Sequence, residues 1–315
     1  MDVYQIHSSR QFNVTWFSIE GFSGIPELRY PVFTALLLIY YIILFGNATI
    51  LVVICWNPCL HTPMYTFLMN LSIIDIGYTS NILPNFLSML LTNNNSISFW
   101  GCMCQVYYFI AFACTEILLL SAMGYDRYAA ICQPLHYVNL MNVRKSSGLA
   151  SAAWSIGFID AIGHVVLISK LSFCASHLID HYYCDVIPLL NISCSDTSKV
   201  EMVNYIEGSL LVGTAFIITL VSYIFIISNI IKIKSSASQG KAFSTCSSHL
   251  TCVCMFYGTL ICVYVRPTTS YSPKQDKFAS LLYAVLVPLL NPLIYSLKNQ
   301  EIKSTITKLM RSFNI

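Results

Sequence analysis

The feature that most constrains this chain is a series of long apolar stretches, each close to the length that crosses a bilayer as one helix. A membrane-spanning helix needs about 20 mostly apolar residues. Charged residues make up only 10% of the 315 residues, against about 25% in soluble domains. The predicted spans are Pro31–Cys55, Met64–Leu87, Phe99–Ile131, Ser146–Ser169, Val203–Ile231, Phe243–Val265 and Phe278–Leu297. The sequence therefore predicts an all-α membrane protein, a seven-transmembrane helix bundle, whose second and fourth spans are the weakest because each contains an aspartate.

The seven spans form a single domain, since no repeat, low-complexity tract or linker interrupts them. We expect an extracellular N-terminal segment at 1–30, the seven-transmembrane domain at 31–297 and a cytoplasmic tail at 298–315. The apolar residues of the tail recur on one helical face with basic residues around it: Ile302, Ile306, Leu309 and Met310. This pattern predicts a short amphipathic C-terminal helix that lies on the membrane lipid.

The distribution of lysine and arginine predicts the orientation of the chain. With the N-terminus outside, the inner loops and the tail hold ten basic residues and two acidic ones, whereas acidic residues outnumber basic ones in the outer segments. Basic loops stay on the cytoplasmic side, so the N-terminus is predicted to be extracellular. Asn13 agrees with this, because Asn13-Val14-Thr15 matches a glycosylation acceptor that must face the outside.

Four cysteines are predicted to lie on the outer side. Three of them, Cys174, Cys184 and Cys194, crowd the loop between spans four and five, and Cys102 stands at the outer start of span three. An even set of cysteines in an oxidising compartment predicts disulfide bonds. The spacing alone leaves their pairing open.

Three acidic residues lie inside predicted spans, where charge is expensive and usually functional. Asp75 and Glu116 fall at similar depths in spans two and three. Two unpaired carboxylates would repel, so a shared proton or a bound Na⁺ would stabilise the pair. The alternative is that both are protonated and only hydrogen-bonded. Asp160 precedes His164 by one helical turn, which favours a local helix-stabilising pair.

Span seven contains Asn291-Pro292, and a proline inside a helix removes one backbone hydrogen bond where a polar side chain can fill in. Such a weak point suits a helix that moves, and the alternative is a static kink. The motifs of zinc peptidases, P-loop proteins and serine hydrolases do not occur in the sequence. Nothing in the residue pattern indicates an enzyme or a nucleic-acid partner.

Short motifs along the chain resemble, in order and spacing, those of rhodopsin-like G-protein-coupled receptors and specifically of the odorant (olfactory) receptors. The matching motifs are Gly46-Asn47, Pro63-Met64-Tyr65, Met123–Cys132, Ser222-Tyr223, Lys241–Leu250 and Pro288–Asn299. The stretch KAFSTCSSHL at Lys241–Leu250 is the most specific, since it is characteristic of odorant receptors rather than of the wider superfamily. The resemblance covers nearly the whole chain.

The resemblance implies roles for residues at matching positions. It implies disulfide bonds Cys102–Cys184 and Cys174–Cys194, and a sodium site at Asp75 and Glu116. The residues implied in G-protein coupling and activation are Asp126, Arg127, Tyr128, Tyr223 and Tyr295. In this scheme Asp126 restrains Arg127 at rest, and on activation the arginine turns toward the G protein.

The resemblance also implies a ligand pocket between spans three, five and six. Counting from the matched motifs, its predicted ligand-binding residues are Phe109, Ile110, Ala113, Cys114, Ile117, Glu207, Gly208, Leu211, Tyr257, Leu260, Ile261 and Tyr264. This wall is mostly apolar, which suits a small, mostly hydrophobic ligand. For each residue the alternative is ordinary helix packing. Phe109 stands where amine receptors carry an aspartate, which argues against an amine ligand.

The implied function is an odorant receptor of the plasma membrane that activates a heterotrimeric stimulatory G protein and raises cyclic AMP, without a cofactor other than Na⁺. One alternative is a receptor of the same fold for a non-odorant metabolite. Another is an ion-coupled secondary transporter, which predicts inverted repeats that the sequence lacks. Two departures from the family motif, Gly124 for alanine and Ala129 for valine, predict loose packing beside Arg127 and a raised basal activity.

Overall fold

The computed structural model describes residues 14–21, 26–92, 94–174, 177–264, 273–298 and 300–312. Its helices in chain order are α1 (Arg29–Trp56), α2 (Pro63–Thr92), α3 (Phe99–Cys132), α4 (Tyr137–Leu140), α5 (Val143–Ser169), α6 (Val186–Asn191), α7 (Ser198–Ile231), α8 (Ser236–Tyr264), α9 (Pro273–Lys298) and α10 (Gln300–Ser312). Its strands are β1 (Trp16–Ile19), β2 (Ser96–Ser98) and β3 (Leu178–Ile179). Each of the seven predicted spans corresponds to one long helix.

Within the described parts of the chain, five of the long helices have the length and the apolar composition to cross a membrane: α1, α3, α5, α7 and α9, the last over Lys277–Ile294. Helix α8 contributes a shorter apolar segment there, His249–Leu260. Of the two spans expected to be weakest, α5 meets these requirements although it contains Asp160, whereas α2, which contains Asp75, does not.

The helices extend beyond the apolar stretches from which the spans were predicted. The helix of span six begins at Ser236 rather than at Phe243, and that of span five at Ser198 rather than at Val203. A helix ends where its backbone hydrogen bonds find other partners, whereas hydropathy marks only where lipid would end. The side chain of Ser98 caps α3, for example, by accepting a hydrogen bond from the Gly101 amide (3.1 Å).

Helix α3 lies at the centre of the bundle, in contact with α2, α5, α7 and α8. Its approach to α5 depends on Gly157, where an added Cβ would lie 2.6 Å from the carbonyl oxygen of Ala111 and against the hydroxyl of Thr115. Thr115 donates to that same carbonyl (2.7 Å). The α3–α5 contact thus leaves no room for a side chain at position 157.

A small three-stranded sheet covers the bundle end that carries the disulfides. Strand β1 pairs antiparallel with β2 and parallel with β3. Phe17 and Ile19 of β1 are fully buried beneath this sheet. The sheet was not predicted from the sequence, because its three short strands come from distant parts of the chain and pair only after the helices have packed.

The proline in α9 is compensated by an asparagine of α1. Pro292 has no amide hydrogen, so the carbonyl of Pro288, one turn earlier, loses its usual helical partner. Asn47 donates its Nδ2 to that carbonyl (3.2 Å) and to the carbonyl of Ile43 (3.1 Å). A polar side chain therefore fills the gap in the α9 backbone, as the sequence predicted.

We predict that Asn47→Ala destabilises the protein by roughly 1–3 kcal/mol, because it leaves the buried Pro288 carbonyl without a donor. The measurement is the thermal unfolding of the purified protein in lipid nanodiscs. Thr49→Val is the matched control, since Thr49 bonds only within its own helix, to Phe45 (2.7 Å). Equal losses of stability in the two variants would contradict this role for Asn47.

The predicted surface helix is present as α10, which packs against α1 and α9. Ile302 is fully buried on its inner face, and Ile306 packs beside it. Polar contacts fix its position, since Tyr65 donates to the carboxylate of Glu301 (2.6 Å) and Asn57 to the hydroxyl of Thr305 (2.9 Å). The side chains of Leu309 and Met310 lie outside the described residues.

Candidate functional site

Two disulfides hold the long loop between α5 and α7 over the bundle. They pair Cys102 with Cys184 and Cys174 with Cys194, with Cα–Cα distances of 5.4 and 6.0 Å. These are the pairs that the family resemblance implied. The backbone amide of Cys184 also donates to Gln105 of α3 (2.8 Å), so the loop is fixed to α3 at two adjacent points.

Charged side chains tie the covering sheet to α9. Lys277 forms ion pairs with Glu20, which follows β1 (3.0 Å), and with Asp180, which follows β3. Burial lowers the pKa of the neighbouring His181 to about 4, and the Lys277 ammonium acts in the same direction. His181 is therefore neutral at physiological pH and packs edge-on against Tyr183, with ring centroids 4.5 Å apart.

We predict that acidification destabilises the protein through His181. Its pKa is lowered in the folded state, so between about pH 6.5 and 4 the unfolded chain binds a proton that the folded chain does not. The stability falls as the pH drops through that window, by roughly 2 kcal/mol at pH 5. Thermal unfolding at pH 7 and pH 5 measures this, and the loss should be smaller in His181→Phe. The exposed His136→Phe is the control, and equal pH dependence in both variants would disprove the prediction.

An aromatic cluster fills the bundle beneath the loop. It comprises Tyr78, Phe109, Tyr183, Phe256 and Tyr283, all buried and drawn from α2, α3, the loop, α8 and α9. The ring of Phe109 lies 5.0 Å from that of Tyr78 and 5.4 Å from that of Tyr183. The ring of Tyr283 lies 5.8 Å from that of Phe256. Phe109, a predicted ligand residue, also has its ring 6.4 Å from that of Tyr283, so it packs against α2, the loop and α9.

Several predicted ligand residues come together around this cluster. Four of them are buried in the same core: Phe109, Ile117, Tyr257 and Leu260. Two more, Ile110 and Leu211, pack against that core from α3 and α7. Ala113 is partly buried on α3. The side chains of Ile261 and Tyr264 lie outside the described residues.

The remaining predicted ligand residues lie toward the boundary of α5 and α7. Glu207 contacts His164 of α5, with 2.9 Å between carboxylate oxygen and Nε2. Cys114 is buried, and its thiol interacts electrostatically with Asp160 and Glu207. Gly208 has open space where a Cβ would lie. Asp160 is 3.9 Å from His164, so the expected local pair exists but Glu207 is the nearer partner.

The tyrosines of the aromatic cluster, Tyr78, Tyr183 and Tyr283, are not among the predicted ligand residues. Tyr183 had a usable signal, because it precedes Cys184, which the implied disulfide fixes to the top of α3. No sequence signal distinguishes Tyr78 and Tyr283, since tyrosines are frequent in this chain and only the packing of the helices brings these two into the cluster.

A buried polar site lies deeper in the bundle, at Asp75, Glu116 and Asn291, all at most 4% exposed. Asn291 donates its Nδ2 to both carboxylate oxygens of Asp75 (3.1 and 3.2 Å). Glu116 is close enough to Asp75 for their charges to interact. The Oδ1 atom of Asn291 has no hydrogen-bond partner within the described ranges. Two carboxylates and an amide oxygen therefore lie in one buried region, and oxygen ligands of this kind suit a hard cation such as Na⁺.

The opposite end of α3 carries the Asp126–Arg127 pair. Asp126 is fully buried, and its carboxylate lies 3.2 Å from the Arg127 guanidinium. Tyr137 of α4 donates to the second carboxylate oxygen (2.9 Å). Both oxygens of Asp126 are thus engaged, and the arginine is held alongside its own helix.

Tyr223 of α7 faces α8 at the same end. Its hydroxyl lies 2.8 Å from Nδ1 of His249 and donates to the carbonyl of Cys246 (3.2 Å). Arg127 is near enough to influence both rings electrostatically. Tyr128 packs against Phe225, with ring centroids 5.9 Å apart. The side chain of Tyr295 lies outside the described residues.

Comparison with known proteins agrees with these motifs and this geometry. The family model described as "Olfactory receptor" matches residues 36–312. Olfactory receptor 13A1 of Homo sapiens is 45% identical over 97% of this chain and 93% of its own length. Olfactory receptor 5B21 of Mus musculus is 42% identical over 95% of this chain and 94% of its own length.

The fold also matches a solved structure. Squid rhodopsin aligns with a TM-score of 0.69 over 90% of this chain and 81% of its own, at 15% sequence identity. This likeness confirms the predicted all-α, seven-helix membrane fold. The near-full-length matches decide the family and with it the class of protein. The chain belongs to the olfactory receptor family, whose members are multi-pass membrane receptors and not enzymes.

Proposed function

We propose that the chain binds a small, mostly hydrophobic odorant among α3, α7 and α8, activates a stimulatory G protein and thereby raises cyclic AMP. One observation carries the proposal. The single helix α3 holds Phe109 of the aromatic cluster near one end and the Asp126–Arg127 pair near the other. A change at either end has a rigid, continuous path to the other.

The residues around Phe109 set the chemistry of the ligand. Ile117, Leu211 and Leu260 offer apolar surface, and the aromatic rings add flat, rigid walls. The few polar groups are tyrosine hydroxyls. Such a lining favours a largely apolar ligand with at most one or two hydrogen-bonding groups.

Coupling to the G protein follows from a shift between two conformations. A ligand stabilises the active form only if it binds that form more tightly than the resting one. In the resting form Asp126 holds Arg127, and Tyr223 is bonded to α8. In the active form Arg127 leaves Asp126, α7 and α8 separate at this end, and the cleft admits a helix of the G protein.

Asp75, Glu116 and Asn291 hold Na⁺, or a shared proton, in the resting form. The convergence of their oxygens and the interaction of the two carboxylates support this assignment. The ion offsets the repulsion between two buried negative charges. Its effect is to stabilise the resting arrangement of α2, α3 and α9.

The chain lies in the plasma membrane with an extracellular N-terminus, glycosylated at Asn13, and a cytoplasmic C-terminus. Asn13 is outside the described residues; its sequence motif and the basic residues of the opposite side support its glycosylation. The disulfides and the covering sheet lie on the extracellular side in this orientation. Helix α10 then lies on the cytoplasmic lipid surface.

We predict that Gly124→Ala lowers basal cyclic AMP. A Cβ at this position would lie 3.6 Å from the Thr219 methyl and 3.8 Å from the His249 ring, which is ordinary contact. The added methyl therefore fills space beside Arg127 and stabilises the resting packing by roughly 1 kcal/mol, or about fivefold in population. Gly213→Ala, on α7 with open space around it, is the control. A basal signal that does not fall in Gly124→Ala contradicts the prediction.

A screen of odorants tests the function. Cells that express the receptor with a cyclic-AMP reporter are exposed to an odorant panel and, separately, to a panel of non-odorant metabolites. At least one odorant should raise the signal, and Phe109→Leu should reduce its potency. Phe45→Leu is the matched control, because Phe45 on α1 is 78% exposed on the lipid-facing side. A response to metabolites alone, or an odorant potency unchanged in Phe109→Leu, would overturn the proposal.

A further inference from the structure

Three side chains with metal-binding atoms meet where α5 faces α7. His164 Nε2 lies 2.9 Å from a carboxylate oxygen of Glu207 and 3.9 Å from one of Asp160. One ligand atom from each residue falls within 4.8 Å of the others. We infer that Asp160, His164 and Glu207 form a binding site for a divalent transition-metal ion, with Zn²⁺ as its representative.

The charges of the cluster favour a divalent ion. Two carboxylates and one imidazole lie on long helices of the bundle, near one end of the predicted spans, and uncompensated charge within a span is costly. A protonated His164 would balance only one of the carboxylates. A Zn²⁺ ion bound to a neutral imidazole balances both and leaves the site without net charge.

The distances are close to those of a zinc site. Zinc binds nitrogen and carboxylate oxygen at about 2.0–2.2 Å in a tetrahedron, which puts neighbouring ligand atoms about 3.4 Å apart. The two distances from His164 Nε2, 2.9 and 3.9 Å, bracket that value. The side chain of Glu207 is half exposed and that of Asp160 a quarter exposed, so small rotations of the carboxylates reach the required geometry.

The orientation and chemistry of His164 indicate a transition metal rather than Ca²⁺ or Mg²⁺. Its side chain is only 8% exposed, and Nε2 points between the two carboxylates. The described residues offer no partner to its Nδ1, so nothing among them competes for the ring. Imidazole with carboxylates is a ligand set that zinc accepts, whereas Ca²⁺ and Mg²⁺ prefer oxygen ligands alone.

The site adjoins the predicted ligand wall. Cys114 of α3 interacts electrostatically with both Asp160 and Glu207. A bound ion would therefore link α5 to α7 and alter the electric field at the edge of the pocket. Three protein ligands leave one coordination position for water or another small ligand.

The test is zinc binding by the full-length receptor in lipid nanodiscs, without ligand or G protein. After removal of metals with a chelator, Zn²⁺ is titrated while thermal unfolding is followed by intrinsic fluorescence. Zn²⁺ should raise the unfolding temperature in a saturable way, because an ion that binds only the folded state stabilises it. Ca²⁺ at the same concentrations should produce no comparable shift.

Variants locate the site. His164→Gln and Glu207→Gln should each weaken zinc binding by more than about tenfold. His136→Gln and Glu201→Gln are the matched controls, since both residues are exposed and lie elsewhere. If His164→Gln does not fold, Glu207→Gln at the half-exposed position decides the question. Equal zinc affinity in the site variants and the controls, or equal stabilisation by Ca²⁺, would overturn the inference. Because signalling is not measured, a failed odorant response leaves this result unaffected.

Discussion

Arg127→Gln is expected to abolish the odorant-stimulated cyclic-AMP response while the receptor still reaches the cell surface. The guanidinium contributes charge-assisted hydrogen bonds, each worth roughly 1.5–3 kcal/mol, and glutamine cannot replace them. The loss of one such bond to the G protein lowers the response by more than about tenfold. The resting fold should survive, because Arg127 is at the end of α3 and Tyr137 still donates to Asp126.

The control for this variant is Arg144→Gln. Arg144 is an exposed arginine near the start of α5, at the same end of the bundle. The Arg144→Gln substitution removes one positive charge from the same end of the bundle and leaves Asp126 and its partners unchanged. A normal response in Arg127→Gln at equal surface expression would contradict the proposed coupling. An equal loss in Arg144→Gln would attribute the effect to general surface charge.

Gly157→Val is expected to prevent accumulation of folded receptor. The added side chain would push into the backbone carbonyl of Ala111 and the hydroxyl of Thr115, and a carbonyl within a helix cannot rotate away. Overpacking a core by one or two carbons costs typically 1–3 kcal/mol, and forcing α3 away from α5 adds the loss of their other contacts. Since natural proteins are stable by only about 5–15 kcal/mol, surface expression should fall severalfold or more.

Gly163→Val is the matched control for this prediction. Gly163 lies on the same helix, and a Cβ there would meet nothing within 4 Å. Both variants change glycine to valine in a helix, so they differ only in the contact with α3. Equal surface expression of the two variants would show that close α3–α5 packing is not what Gly157 provides.

The helices were predictable because lipid imposes a simple requirement on sequence. Each span needs about 20 apolar residues with no net charge, and this can be counted. The helix ends were less predictable, since α8 continues seven residues before Phe243 through a polar stretch whose backbone bonds are internal. The covering sheet was not predictable, because Phe17 and Ile19 gain partners only when β2 and β3 come near.

Some residues of the candidate site could likewise be predicted from the sequence, and others could not. Asp126, Arg127 and the cysteines belong to local motifs, so the family resemblance could imply their roles and the cysteine pairing. A polar side chain was expected to compensate the proline, but that this side chain is Asn47 of α1 depends on how α1 crosses α9. Glu207 was predicted to bind ligand from its distance along the chain to Tyr223. Such a count carries no information about its contact with His164, which lies on another helix.

We propose that ligand binding near Phe109 controls a G protein at Arg127. The most direct measurement is nucleotide exchange on a purified stimulatory G protein, with the receptor in lipid nanodiscs and an odorant identified by the screen. The odorant should accelerate exchange with the unmodified receptor and have no effect with Arg127→Gln. Exchange that does not respond to an odorant whose binding is demonstrated in the same nanodiscs would contradict the claim.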